Sequence, residues 1–296
     1  MTTSPTSVLP GLLVTTQWLE NHLLEPNQAI VDIRGYVKTT DLGGGKQTAE
    51  YIGAEDEYDV AHIPGSVYVD WTQDIVDPDA DVKAQIAPPE RFKAAMEAIG
   101  VGDETDVVVV DHTGGHFATR LWGALRYYGH DRGAVLDGGF KKWEAEGRPM
   151  TTEAPTPRPA VFTPRVRPEL RVEADQVLGV LADKSALIVD ARDGQQFSGE
   201  VSRGSRAGYI PGAVNISTKS LVNADGTWKA PEDLDRILTE GGASPEQPVV
   251  AYCNGGVTAT GILFAMAQTG RGHFANYDGS WNEWGERFDL PVETSR

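Results

Sequence analysis

One residue in this chain joins nucleophilic chemistry to a backbone setting suited to it: Cys253, the only cysteine, in the segment VVAYCNGGVTATGILFAMAQTG. An apolar β-branched run at 249–251, the cysteine, a tight loop with two glycines and a helix expected to start near Val257 or Thr258 make a strand–loop–helix elbow. In such an elbow the backbone N–H groups of Asn254, Gly255, Gly256, Val257 and Thr258 point inward at the sulfur, and Gly255 and Gly256 are free to take the positive φ that the cradle needs. Thr258 is placed to cap the helix. Inward amides and the positive end of a helix together stabilise a negatively charged sulfur, whether a nucleophilic thiolate or a persulfide anion. The alternative is a small buried core residue, the fate of most lone cysteines.

Other chemistries are excluded or weakened by composition. One cysteine rules out an intramolecular disulfide and a Cys-rich metal site. His112 and His116 have the spacing of two ligands on a helix, but no Glu adjoins the first and no third ligand is near, so no metal site is expected. A net charge of −17 opposes nucleic acid and anionic membranes as partners, and a small anionic substrate needs a local positive pocket. No apolar stretch is long enough to span a bilayer, and the N-terminal MTTSPTSVLPGLLV lacks a leader's positive region, which favours a cytoplasmic protein.

The elements that must position Cys253 are written twice. AIVDIR at 29–34 returns as LIVDAR at 187–192, HIPGSVYVDW at 62–71 as YIPGAVNIST at 209–218, VVVVD at 107–111 as VVAYC at 249–253, and LDGGFKKW at 136–143 as YDGSWNEW at 277–284. Four blocks in one order imply a duplicated domain. The expected organisation is a first domain over 1–150, a linker over 151–168 with five prolines, and a second domain over 169–296. Apolar runs at 29–33, 107–110, 187–189 and 249–251 read as buried parallel strands alternating with helices, hence an α/β fold with an open parallel sheet in each repeat. Ligands in such sheets sit beyond the strand C-termini, where Cys253 falls. Residues 38–58 lengthen the first repeat and read as a flap near the cleft, a partner surface or a tolerated surface loop.

Taken together, the DxR, HIPGA-like, VVxYC and DGGFxxW/DGSWxEW blocks resemble the tandem-domain rhodaneses, the thiosulfate and 3-mercaptopyruvate sulfurtransferases, from about Val14 to Val292. The resemblance implies an active cysteine in the second domain only, and Asp111 stands where the second repeat has Cys253. The family's loop, Cys-x-x-Gly-Val-Thr-Ala, matches residues 253–259. What it implies is double displacement: Cys253 takes the outer sulfur of a small anionic donor and passes it to cyanide, a thiol or a thioredoxin-like acceptor, with no metal or organic cofactor.

The same resemblance makes Arg192 the residue that binds the donor's anionic group, with a salt bridge to Asp190 or Glu200 as its structural alternative. Arg203 and Arg206 either add charge at the cleft or are solvated surface. Arg34 either contributes charge from the first domain or pairs with a neighbouring carboxylate, and His62 matches a histidine that assists in some mercaptopyruvate enzymes. The loop Cys-Asn-Gly-Gly carries neither the lysine typical of thiosulfate enzymes nor the hydroxyl typical of mercaptopyruvate enzymes, and the reading leans slightly to thiosulfate. A related cysteine phosphatase would need an arginine where Ala259 stands, so it is disfavoured. A non-enzymatic rhodanese-like binding or regulatory module is the second alternative.

Overall fold

A computed structural model describes residues 6–295, so the first five residues of the N-terminal stretch read above lie outside it. The first half carries strands β1 (Leu13–Val14), β2 (Gln28–Asp32), β3 (Gly35–Gly43), β4 (Lys46–Gly53), β5 (Ser66–Tyr68), β6 (Asp106–Val110) and β7 (Gly133–Leu136). The second carries β8 (Arg171–Val172), β9 (Leu187–Asp190), β10 (Val214–Asn215), β11 (Val249–Tyr252) and β12 (Phe274–Tyr277). Five strands of each half form a parallel sheet, ordered β1-β7-β6-β2-β5 in one and β8-β12-β11-β9-β10 in the other, so the repeat seen in the residues is a repeat of topology. The central strands β6 and β11 are buried along their whole length because helices cover both faces of each sheet, which is why their sequences are apolar without alternation.

The two halves share a core. The helices Ala118–Tyr127 and Thr260–Gln268, equivalent in the repeat, pack on one another, with Trp122 edge-on to Phe264 at 4.9 Å and the hydroxyls of Thr119 and Thr260 hydrogen-bonded at 2.9 Å. One apolar cluster runs from Val109 and Trp122 through Leu263 and Phe264 to Val249. Two carboxylate contacts are reciprocal across this junction: Asp278 Oδ2 accepts the Ile86 N–H and Asp137 Oδ1 accepts the Trp228 N–H, each at 2.8 Å. Residues 152–167 form no helix or strand and run along the first half, where Phe162 is buried against Phe92 and Arg165 N–H donates to Tyr128 O at 2.9 Å.

The extension at 38–58 is not an irregular loop. It is the larger part of an antiparallel hairpin, β3–β4, followed by the helix Glu55–Val60, and its turn takes three consecutive positive φ angles at Gly43, Gly44 and Gly45. The tip is docked on the second half: Gln47 N–H donates to Ser202 O and Ser202 N–H to Gly45 O, both at 2.8 Å.

Candidate active site

Cys253 follows β11 at the C-terminal edge of the second sheet and is 3% exposed. Its N–H donates to Ser280 Oγ at 3.1 Å and its carbonyl accepts the Trp281 N–H at 3.0 Å, so the turn after β12 fixes the backbone on both sides of the sulfur. The loop departs from expectation in two details. Gly256 takes a positive φ, 70°, but Gly255 does not; glycine is needed at 255 for space, since a Cβ there would lie 3.0 Å from the Tyr51 hydroxyl and 3.1 Å from Asn282 Nδ2. The helix starts at Thr260, and Thr258 does not cap it; instead Thr260 Oγ1 donates to Val257 O at 2.6 Å and closes the turn ahead of the helix.

The first half shows what such a loop holds. The Asp111 carboxylate accepts N–H bonds from Thr113, Gly115, Phe117 and Ala118 at 2.9–3.0 Å, with the Thr113 hydroxyl as a fifth donor. An anion thus sits in the turn between central strand and helix, surrounded by backbone amides. In the second half Cys253 replaces that aspartate, and among the described residues the N–H groups of Gly255, Val257, Thr258 and Ala259 donate to no protein acceptor. Unused backbone donors in such a loop are available to stabilise negative charge on a thiolate or a persulfide.

The first half also braces this loop. Arg120, 1% exposed, sends Nη1 to Gly256 O at 3.0 Å and to Asp278 Oδ1 at 2.5 Å, and Nη2 to Ala84 O at 2.6 Å. Asn276 Nδ2 donates to the same Gly256 carbonyl at 3.0 Å. A cavity of about 210 Å³ lies against the loop at Gly255, lined by Tyr51, Lys83, Arg203, Asn282 and Glu286 among others. Tyr51, on β4, accepts a bond from Asn282 Nδ2 at 3.1 Å. Burial raises the pKa of its phenol and the Asn282 bond opposes this, so Tyr51 stays a neutral hydroxyl beside Gly255. Sequence reading missed Tyr51, Lys83, Asn282 and Arg120. The hairpin that carries Tyr51 had a legible signal, Thr- and Tyr-containing runs flanking Gly43–Gly45.

Of the candidate cations, the structure brings Arg203 to this cavity; its Nη2 donates to Thr39 Oγ1 at 3.0 Å and its Nε is buried with no partner. Arg206 is elsewhere, its guanidinium clamped by the carbonyls of Trp284, Gly285, Arg287 and Leu290. Arg192 folds back on Asp190, Nη2 to Oδ2 at 2.6 Å, donates to Gly208 O at 2.7 Å and stacks 4.5 Å from the Trp281 ring centre. Arg34 does the same in the first half, with Asp32 at 3.0 Å and the Phe140 ring at 3.9 Å, so both arginines of the DxR blocks sit in buried ion pairs beneath equivalent aromatic rings and outside the cavity lining. Burial raises the pKa of Asp32 and the Arg34 charge opposes it. His62 is buried against Tyr58, its two ring nitrogens facing the carbonyls of Tyr58 and Glu153 at 2.8 and 3.1 Å, and it does not line the cavity. Asn254 turns its amide to Gln196 Oε1 at 3.1 Å. His112 and His116 lie in the loop before their helix rather than on it, and among the described residues no group of three metal-ligating side chains occurs.

Comparison with known proteins agrees with this architecture. The rhodanese-like domain family matches residues 15–146 and again 173–287. The sulfur carrier protein TtuD of Thermus thermophilus is 32% identical over 297 residues, covering 96% of both chains, and the 3-mercaptopyruvate sulfurtransferase of Escherichia coli is 32% identical over 283 residues, covering 95% of this chain and 97% of its own. The crystal structure of SseA from Escherichia coli, a 3-mercaptopyruvate sulfotransferase by its description, superposes with a TM-score of 0.78 at 30% identity over 91% of this chain and 98% of that one. A doubled parallel α/β frame holding a lone cysteine in an amide-lined loop defines a sulfurtransferase working through persulfide chemistry. This chain belongs to the rhodanese-like family, in its two-domain form. No helix among the described residues is long and apolar enough to cross a membrane.

Proposed function

We propose that the chain moves sulfane sulfur from thiosulfate to cyanide or a thiol acceptor, including a thioredoxin-like protein thiol, through a persulfide on Cys253. The observation that carries the donor class is that Arg203, with a buried unpartnered Nε, and Lys83 both line the cavity beside the loop, where Ser205 already engages Glu286 and Asp81 is the remaining acid. The Cys253 thiolate attacks the outer sulfur of thiosulfate, the S–S bond breaks, and sulfite leaves with the bonding pair. The resulting Cys-S-S⁻ rests against the amides of Gly255, Val257, Thr258 and Ala259. Cyanide or a thiolate then attacks the outer sulfur, leaves as thiocyanate or a new persulfide, and returns Cys253 as thiolate.

A second donor, 3-mercaptopyruvate, is favoured by the Tyr51 hydroxyl and the Asn282 amide in the same cavity, neutral groups suited to a ketone and carboxylate. With it, pyruvate is the leaving product. Thiocyanate formation from each donor, measured on wild type, Cys253→Ser, Arg203→Ala and Lys83→Ala, tests the reading. Loss in Cys253→Ser with a raised KM for thiosulfate in both cation variants supports it; cation variants that alter only the mercaptopyruvate reaction transfer the assignment to that donor. Absence of Cys253-dependent thiocyanate with either donor refutes both.

A further inference from the structure

The cavity against the Gly255 loop has a counterpart at the equivalent loop of the first half, at Thr113 and Gly114. It measures about 310 Å³ and lies between the halves, with His112, His116 and Lys141 from the first and Lys219, Asn223 and Asp225 from the second among its lining. It shares no lining residue with the cavity at Gly255. His112 is 6% exposed, yet neither Nδ1 nor Nε2 has a hydrogen-bond partner, and His116 Nε2 is also buried and unpartnered. Buried polar atoms in folded proteins are nearly always paired, so a cavity-lining imidazole with both nitrogens unpartnered calls for a ligand that reaches it when the ring or the lining shifts.

The charges there select its sign. Two exposed lysines, Lys141 and Lys219, line the cavity. The nearby acids are already engaged: Asp111 by four amides and a hydroxyl, Asp225 by the N–H and hydroxyl of Thr227, and Glu57 by the Tyr36 hydroxyl, while Lys219 keeps a loose contact with Asp193 at 3.7 Å. Two lysines repel a metal ion, and burial holds His112 toward its neutral, N–H-donating form.

We infer that this interdomain cavity binds a small dianionic oxyanion of sulfur or phosphorus, held by Lys141, Lys219 and the ring of His112. It is a non-catalytic site, since the residue at the nucleophile position is Asp111.

The test uses the full chain carrying Cys253→Ser, which cannot turn over, so its outcome is independent of the donor assigned above. Sulfate, thiosulfate and inorganic phosphate are titrated separately, with chloride at matched ionic strength, while the imidazole ¹H–¹⁵N signals of His112 are followed. The expected result is a saturable His112 shift with at least one of the dianions and not with chloride, weakened about tenfold or more in Lys141→Ala/Lys219→Ala and retained in Arg203→Ala. The relative affinities of the three anions separate a sulfur-metabolite site from a phosphate site. A His112 signal that none of the three dianions moves, that chloride moves equally, or that responds identically in the double lysine variant overturns the inference.

Discussion

Asp111 and Cys253 occupy one position in two copies: each ends a buried central strand, and each gives its carbonyl oxygen to an N–H at the start of the following D-G turn helix, Phe140 at 2.7 Å and Trp281 at 3.0 Å. The side chains differ: the first loop holds the Asp111 carboxylate, and the second leaves the N–H groups of Gly255, Val257, Thr258 and Ala259 without a protein acceptor among the described residues.

Asp111→Ala empties a cradle of four N–H donors, three of them buried, and unfolding in urea should show a loss of about 2–3 kcal/mol with an unchanged m-value. Conversely, Cys253→Asp should fold, lose sulfur transfer, and protect the amides of 255–259 from hydrogen exchange better than Cys253→Ala does. Equal exchange in the two variants would mean that the second loop does not hold anions as the first does.

Arg120 and Asp278 form a buried pair with side chains 2% and 0% exposed. Removing one member strands a charge, so Arg120→Met should cost about 3–5 kcal/mol. Arg120→Lys should cost less in stability while still lowering kcat, because one ammonium cannot serve Gly256 O, Asp278 and Ala84 O together. A double-mutant cycle with Asp278→Asn measures the coupling; additive effects would argue against a shared brace.

The two loop glycines should respond differently. Gly256→Ala meets both a φ of 70° and a Cβ placed 2.5 Å from Asp278 O, and it should destabilise the protein by about 2 kcal/mol or more. Gly255→Ala meets the Tyr51 hydroxyl instead, so its main effect should be on kcat/KM, about tenfold, and partly relieved in combination with Tyr51→Phe. Comparing thermal unfolding with steady-state kinetics for the three variants separates strain from crowding.

Burial lowers the pKa of His112, His116 and His130 below the ordinary 6.5. The unfolded chain therefore takes up protons first as pH falls, so the stabilisation from keeping these rings neutral is complete above 6.5 and is lost progressively below it. Urea midpoints should fall as the pH drops below 6.5 in a buffer free of sulfate and phosphate, and His116→Gln should flatten part of that slope. An unchanged slope in this variant would place the dependence on other groups.

The doubled frame and the cysteine loop were legible in the residues because both are local: four blocks recur in order, and Cys253 lies between an apolar run and paired glycines. What was not legible acts across the junction. Arg120 is 136 residues from Gly256, and Tyr51 is 231 from Asn282, contacts that no local pattern encodes. The DxR arginines show the opposite difficulty: spacing alone does not tell a guanidinium that reaches a ligand from one that folds back on the aspartate two residues before it, as Arg34 and Arg192 both do.

The exchange of carboxylate contacts between Ile86 and Asp278 and between Trp228 and Asp137 has a consequence at the level of the gene. The copy without a cysteine could not be deleted without also removing the wall and brace of its sibling. A gene trimmed to the thiol-bearing half would encode Cys253 without Arg120, Tyr51 or Lys83. The copy without the cysteine is held in place by its contacts, so damage to it reaches the Cys253 loop as well.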